Sequence, residues 1–414
     1  MGGSGPLARV TASAYNRHTV PAPATRSAGT ALYRCLPRRR SVPVVIEPVQ
    51  RRRDLRRFLH LPFRLHRDHP GWVPPLLIDE RHMFDRRRNG AFRYSDCALW
   101  LARDGRGEVV GRIGGIINRR YNGIKGEHQA RFTHLDCVND VEVMDALLGR
   151  VKLWAHEAGM EVVIGPMGFT DQDPEGFVIE GFDEEPSIAT YHNREYIVRL
   201  LNQLGWAKDV DYVVYKVPVP KEIPPFYERV YQHVARHNAF RLLEFTHRRE
   251  LKPLIRPVLA LMNETYVNIA GYAPLDREEM EDLARRYLPV ISPRFVKVVA
   301  VGNEPVGFII GIPNVVEGIR RARGRLLPVG WYWILRSSRR ARRLDLLLGG
   351  IKEAYRGKGV DVLMGRAMIR SAQAAGFESF DSHHELESNT KMRAEMERMG
   401  GQVYKRYRVF RTTV

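Results

Sequence analysis

Apolar and polar positions alternate along this chain in two rhythms, and the clearest reading comes near its C-terminal end. Leu346 to Ile351 is an unbroken apolar stretch of strand type. Beyond a short basic, glycine-rich turn, Val360, Leu363, Met364, Ala367 and Met368 recur at i, i+3, i+4, i+7 and i+8, which predicts a helix laying one face on a sheet. Phe377 to Asn389 then alternates with period two, placing Asp381, His383, Glu385 and Glu387 on one face of a strand. Ser388 or Asn389 suits the N-cap of a helix over Thr390 to Met399, whose Met392, Met396 and Met399 make a stripe to bury.

The pattern recurs. Glu108-Val-Val-Gly-Arg-Ile-Gly-Gly-Ile116 matches Glu304-Pro-Val-Gly-Phe-Ile-Ile-Gly-Ile312, each a turn leading into a strand. Leu204-Gly205 with Tyr212 to Lys216 matches Met399-Gly400 with Tyr407 to Arg411 at an ungapped offset of 195, and Ile197 and Leu201 fall opposite Met392 and Met396. The chain therefore reads as two copies of one α/β unit, 43–217 and 218–414, preceded by a basic segment, 1–42, that lacks a periodic apolar pattern and is expected to be disordered.

A helix that begins on a glycine loop leaves backbone N–H groups free for an anion. Gly357 and Gly359 supply the turn, Arg356 and Lys358 supply charge, and the loop Arg356 to Val360 reads as a phosphate cradle. It has neither the hydroxyl-bearing pattern of a nucleotide-hydrolysing loop nor the three spaced glycines of a dinucleotide fold. In the first copy the strand Phe132 to Cys137 runs instead into Val-Asn-Asp-Val-Glu, acidic and without glycine. That copy carries a long Gly/Pro/acid segment, Gly165 to Phe182, of the kind that lines a binding face, and is expected to support the site or bind the acceptor.

Arg356-Gly-Lys-Gly359, between a strand and a helix, resembles the core of the Gln/Arg-x-x-Gly-x-Gly/Ala motif of the GNAT superfamily of acyl-CoA N-acyltransferases; Ala354 and Asp361 depart from it. The resemblance implies an α/β (α+β) architecture of two tandem GNAT-like domains, each a mixed, mostly antiparallel sheet flanked by helices. It implies acyl-CoA, acetyl or long-chain, as co-substrate, held by Leu348, Gly350, Ile351, Arg356, Gly357, Lys358, Gly359, Val360 and Asn389. Acyl transfer to an amine with a pKa near ~10 needs a base at neutral pH. The titratable face of the Phe377 strand offers Glu385 or His383, with Glu387 beside them. Many members of the superfamily place a leaving-group tyrosine in the following helix; this one has none there, and Tyr404 and Tyr407 on the final strand are the available phenols. No metal site is evident.

Over a longer span, Trp72-Val-Pro-Pro75 and Gly400-Gly-Gln-Val-Tyr-Lys-Arg-Tyr-Arg408 resemble a bacterial family of tandem GNAT-like proteins, similar to bacterial ceramide synthases that N-acylate a sphingoid base with a fatty acyl-CoA. That implies a lipid amine as acceptor. An acetyl-CoA-dependent acetyltransferase of a small soluble amine, a non-catalytic binding protein and a tRNA-dependent aminoacyl transferase stay open as alternatives.

Charge refines the picture of partners. Of a net charge of +19 in 414 residues, sixteen units lie in Met1 to Arg40, with seven arginines and no acid, and Gly318 to Arg343, with nine arginines and no acid. The second segment encloses Leu326 to Leu335, with Trp331, Tyr332 and Trp333. Ten apolar residues cannot span a bilayer, so the expectations are an interfacial contact with anionic lipid or an ordinary packed element. Nothing of the kind that recognises nucleic acid accompanies it. Three scattered cysteines suit a reducing cytoplasm, with peripheral attachment at the inner membrane face. The arginine-rich start would also suit an organellar transit peptide or a start codon placed too early.

Overall fold

The computed structural model describes residues 44–236, 240–288 and 290–414. The basic segment 1–42, expected to be disordered, lies outside the described residues.

The first repeat runs β1 (Val45–Pro48), α1 (Arg52–Leu65), α2 (Leu77–Met83), β2 (Ser95–Arg103), β3 (Val109–Asn118), α3 (Arg119–Lys125), β4 (Gln129–Cys137) and α4 (Val141–Glu157). It continues through β5 (Val162–Gly165), β6 (Phe177–Glu180), α5 (Glu195–Gln203) and β7 (Ala207–Pro218). The second runs α6 (Pro225–Arg236), β8 (Arg241–Glu244), α7 (Arg248–Leu251), α8 (Ile255–Tyr266), α9 (Arg277–Tyr287), β9 (Val296–Val301) and β10 (Glu304–Pro313). Then come α10 (Val316–Ala322), α11 (Gly330–Arg340), β11 (Arg343–Ile351), α12 (Val360–Ala375), β12 (Ser379–Asp381), β13 (Glu385–Leu386), α13 (Thr390–Arg398) and β14 (Gln402–Thr413). The 195-residue offset is visible in the elements: β3 and β10, α5 and α13, and β7 and β14 start 195 positions apart.

All strands among the described residues join one sheet in the order β1-β2-β3-β4-β5-β14-β7-β12-β11-β10-β9-β8, with β6 beside β14 and β13 beside β7. Pairing is antiparallel except at β4/β5 and β11/β12, so the sheet is mixed and mostly antiparallel, as expected. The last strands are exchanged. β14, the end of the second repeat, pairs with β5 of the first, while β7, the end of the first, pairs with β12 of the second. β7 and β14 also pair with each other, from Gln402↔Lys216 to Arg411↔Ala207, so the two repeats share one sheet.

Helix α12 buries Val360, Leu363, Met364, Ala367 and Met368 against the sheet, the stripe predicted from its spacing. The strand read from Phe377 to Asn389 is different: it breaks into β12 and β13. The Asp381 carboxylate accepts a hydrogen bond from the His383 amide (2.7 Å), and His383 adopts φ +58°. This local turn destroys period two, so Asp381, His383, Glu385 and Glu387 do not share a face. The stripe of α13 is also not buried as expected. Met392 is 37% exposed and lines, with Met396, the cleft described below, because the helix stands at its wall.

Among the described residues, no helix is long and apolar enough to cross a membrane.

Candidate active site

The two parallel strand pairs open the sheet. β11 and β12 are hydrogen-bonded only from Arg343↔Ser379 to Asp345↔Asp381, after which they diverge. The register of β11 against β10 slips between Ile310 and Gly311, leaving Leu347 as an extra residue on β11. The gap continues into a cleft of about 1230 Å³ whose walls come from both repeats.

At the foot of the gap lies a buried polar network. Asp345 and Asp381 are both fully buried on neighbouring strands. Asp381 accepts from Ser187 Oγ (2.7 Å) and from the Tyr404 hydroxyl, with Lys405 Nζ at 3.5 Å. Asp345 accepts from Arg343 Nε (3.0 Å) and Asn314 Nδ2 (2.8 Å). Burial and the charge of Asp381 push the Asp345 carboxyl up, while Lys405 and Arg343 hold Asp381 well below the usual carboxylate range despite its burial. Tyr404 is part of this network: its hydroxyl proton is committed to Asp381, and burial together with that carboxylate raises its phenol.

Besides Tyr404, the predicted site residues separate into three places. Leu348 lines the cleft on β11. Gly350 is needed for packing, since a Cβ there would stand 2.7 Å from Thr265 Oγ1 on α8. Ile351 ends the strand and packs beneath the loop that follows. On that loop Gly357 and Gly359 take φ +71° and +85°, as their turn requires, and α12 starts with no side chain capping its N-terminus. Arg356 Nε donates to the Ile351 carbonyl, and the Lys358 ammonium lies 5.6 Å from the Tyr355 ring. Val360 is fully buried and anchors the loop. In the first repeat the corresponding helix α4 is capped by Asp140, whose carboxylate accepts from the Glu142 amide (2.9 Å) and so fills the anion position with the chain's own charge.

Across the gap, His383, His384 and Glu385 line the cleft. Burial pushes the Glu385 carboxyl up to about 8. His383 Nε2 donates to the Ile188 carbonyl (3.1 Å), and burial keeps its ring on the neutral side. Asn389 caps α13 by accepting from the Met392 amide, at the cleft wall. Glu387 lies elsewhere, ion-paired to Lys208 (2.7 Å) and Arg406 (2.8 Å), which hold it below its ordinary value.

Sequence reading did not single out several groups that the fold brings here. His384 stacks on Tyr212, ring centroids 5.2 Å apart. The Tyr266 hydroxyl bridges the C=O and N–H of Gly349 (3.0 and 3.1 Å). On the first-repeat wall, His134 bonds Glu80 (3.2 Å), and Asp136 holds His66 (2.8 Å) and Arg112 (2.9 Å). Trp72 stacks on His66, centroids 5.2 Å apart, which explains the Trp of the Trp-Val-Pro-Pro stretch. The Gly165 to Phe182 segment does line the cleft, through Phe169 to Glu175 and Phe177. Val258, Leu259, Leu283, Val298, Ile310 and Leu346 give the second-repeat side an apolar stretch, beside the charged Glu278, Glu279, Asp282, Arg285 and Arg286.

No family profile matches the chain. Protein YghO of Escherichia coli (strain K12) is 26% identical over 366 residues, spanning 86% of this chain and 92% of that protein. A bacterial ceramide synthase of Caulobacter vibrioides is 27% identical over 373 residues, 88% of this chain and 96% of the relative. Among solved structures, a tandem GNAT protein from the clavulanic acid biosynthesis pathway superposes with a TM-score of 0.50 at 12% identity, covering 90% of this chain and 98% of that one. Strand divergence, an uncapped glycine-led helix and a duplicated sheet agree with these likenesses: the chain has the tandem GNAT fold and is similar, over most of its length, to a bacterial ceramide synthase.

Proposed function

We propose that this protein is an N-acyltransferase that moves a fatty acyl group from an acyl-CoA to a long-chain amine of the sphingoid-base type. The observation that carries this reading is the gap between β11 and β12. On one side β11 runs on, past the end of the cleft lining at Gly349, to an open helix N-terminus; the other side carries Glu385, and the gap opens into a cleft of about 1230 Å³ with a stretch of alkyl side chains. A small acetyl acceptor needs no such volume, since sites for drug-sized ligands typically measure ~300–1,000 Å³. The sequence likeness to a bacterial ceramide synthase supports the same choice.

In this reading residues 218–414 bind the donor and 43–217 support the acceptor. Gly357 to Val360 receive the donor's phosphates on backbone N–H groups, with Arg356 and Lys358 adding positive charge. The strand Leu347 to Ile351 runs beside the thioester. As the amine nitrogen bonds to the acyl carbon and the C–S bond breaks, Glu385 takes the nitrogen's proton and the sulfur leaves as thiolate. His383, bonded to Ile188 O, holds the turn that presents Glu385. Tyr404, committed to Asp381, steadies the strands at the foot of the gap.

The arginine-rich segment fits delivery of a lipid. Helices α10 and α11 form a hairpin. Val316 and Ile319 face the cleft, while Leu327 (78% exposed), Val329, Trp331 (54%), Tyr332 and Leu335 stand in solvent. Arg323, Arg325, Arg336, Arg339 and Arg340 form no ion pair among the described residues. Aromatic side chains ringed by unpaired arginines suit an anionic bilayer surface.

The test offers palmitoyl-CoA and acetyl-CoA side by side, with and without sphinganine, and measures thiol release. Release that requires both the long chain and the amine is the expected result. Release with acetyl-CoA alone would replace the lipid reading with a small-amine acetyltransferase, and no release with either would remove the enzyme reading.

A further inference from the structure

The mechanism above uses Glu385 and leaves two carboxyl groups of the loop between β5 and β6 without a role, while Asp173 between them is bonded to the Phe169 and Thr170 amides. Glu175, from the loop between β5 and β6, is only 6% exposed and lines the cleft, and its Oε2 has no hydrogen-bond partner among the described residues. Asp171, four positions earlier, also lines the cleft with its Oδ1 unpartnered. The cation whose field reaches both, Arg131, is occupied: it donates to the carbonyls of Gly168, Phe169 and Gly271, each at 3.1 Å. Two further groups reach the same wall: the buried Tyr212 hydroxyl stands against Glu175 as its nearest polar neighbour, and His384, stacked on Tyr212, leaves its Nε2 unbonded. Tyr266, which lines the same cleft, lies within the fields of both Asp171 and Glu385.

Buried carboxyl groups without a cation are costly to ionise and are relieved by a cationic ligand. We propose that Glu175 and Asp171 form the subsite that receives the ammonium group of the acceptor, supplied by the repeat that lacks the phosphate loop. This rests on the acyl-transfer reading. Its chemistry is complete without further reagents: the ammonium gives its first proton to Glu175, and the neutral nitrogen forms the C–N bond. Glu385 takes the second proton and the thiolate leaves. The occupant is an alkyl chain with one cationic end, matching the Asp171 and Glu175 carboxyl groups and the alkyl stretch of Val258, Leu259, Val298 and Ile310 in the same cleft.

Octadecylamine and octadecanol test this directly, since they share the chain and differ in the head. Both are titrated in the same micelles into the full chain, the Glu175→Gln variant and the Asp171→Asn/Glu175→Gln double variant. Wild type should prefer the amine by about tenfold or more, as expected for hydrogen bonds to a charged group, and the double variant should bind both alike. The preference is a ratio within one protein, so loss of folded material does not imitate it. A double variant that keeps the wild-type preference overturns the subsite, even if sphinganine-dependent thiol release is intact. An amine preference that collapses as expected, with no thiol release in wild type, would support the subsite and remove the acyl-transfer reading instead.

Discussion

Glu385 shows what one side chain owes to its surroundings. Burial alone moves its carboxyl to about 8. A carboxylate accepts a proton only when ionised, so kcat/KM should climb with pH through about 8. Glu385→Gln should lower kcat by ~10²–10⁴ while leaving the donor KM nearly unchanged. A pH–rate profile checks the rising limb, and a kcat unchanged in the Gln variant would assign the base for the second proton elsewhere. Stability carries the same signature with its own sign. Between an unfolded value near 4.5 and the folded value of about 8, the folded protein holds a proton that the unfolded chain has released. Stability therefore falls as pH rises across that window, and Tm of the Gln variant should fall less. At this scale the glycines were legible, because positive φ at Gly357 and Gly359 is a local demand of the turn. Asp171, Glu175, Tyr212 and His384 were not, since their meaning arises from which walls they face across the cleft.

Among the elements, the α10–α11 hairpin makes the sharpest prediction. Five unpaired arginines at roughly 1 kcal/mol each near an anionic surface give attachment of several kcal/mol that salt weakens. Co-sedimentation with phosphatidylglycerol vesicles should therefore exceed that with phosphatidylcholine. It should fall with added salt and be lost when Arg336, Arg339 and Arg340 become Ser and Trp331 becomes Ala. Salt-independent binding, or none, would remove the membrane contact. The turn of this hairpin is tied to the first repeat: the Gly324 carbonyl accepts from the Leu77 amide (2.9 Å), and a Cβ on Gly324 would stand 2.3 Å from Pro75 O. This sets the backbone of the Trp-Val-Pro-Pro stretch against the hairpin turn, a contact that sequence alone did not suggest. Period and length predicted α12 well because its whole stripe meets one sheet. The same reasoning failed for Phe377 to Asn389, where a single Asp381 carboxylate bonding the His383 amide turns the strand.

The whole molecule is held together by exchanged ends. A fragment of residues 218–414 lacks β7 and leaves β12 with an open edge, and a fragment of residues 43–217 lacks β14 beside β5. Expressed separately, both fragments should aggregate, and expressed together they should recover soluble protein by pairing β7 with β14; a monomeric, cooperatively folded 218–414 fragment would contradict this. What the sequence determined by itself follows from short-range physics and from duplication: two α/β units 195 residues apart, a helix that begins on glycines with its N–H groups free, and one repeat whose corresponding turn is acidic and lacks glycine. What only the tertiary structure decided depends on contacts between distant segments. Local periodicity does not record that β7 and β14 change places, because a strand's pattern specifies its buried faces and not its neighbour. Nor does it record that Glu175 and Glu385, more than two hundred residues apart, line one cleft, because that follows from where the two repeats close on each other.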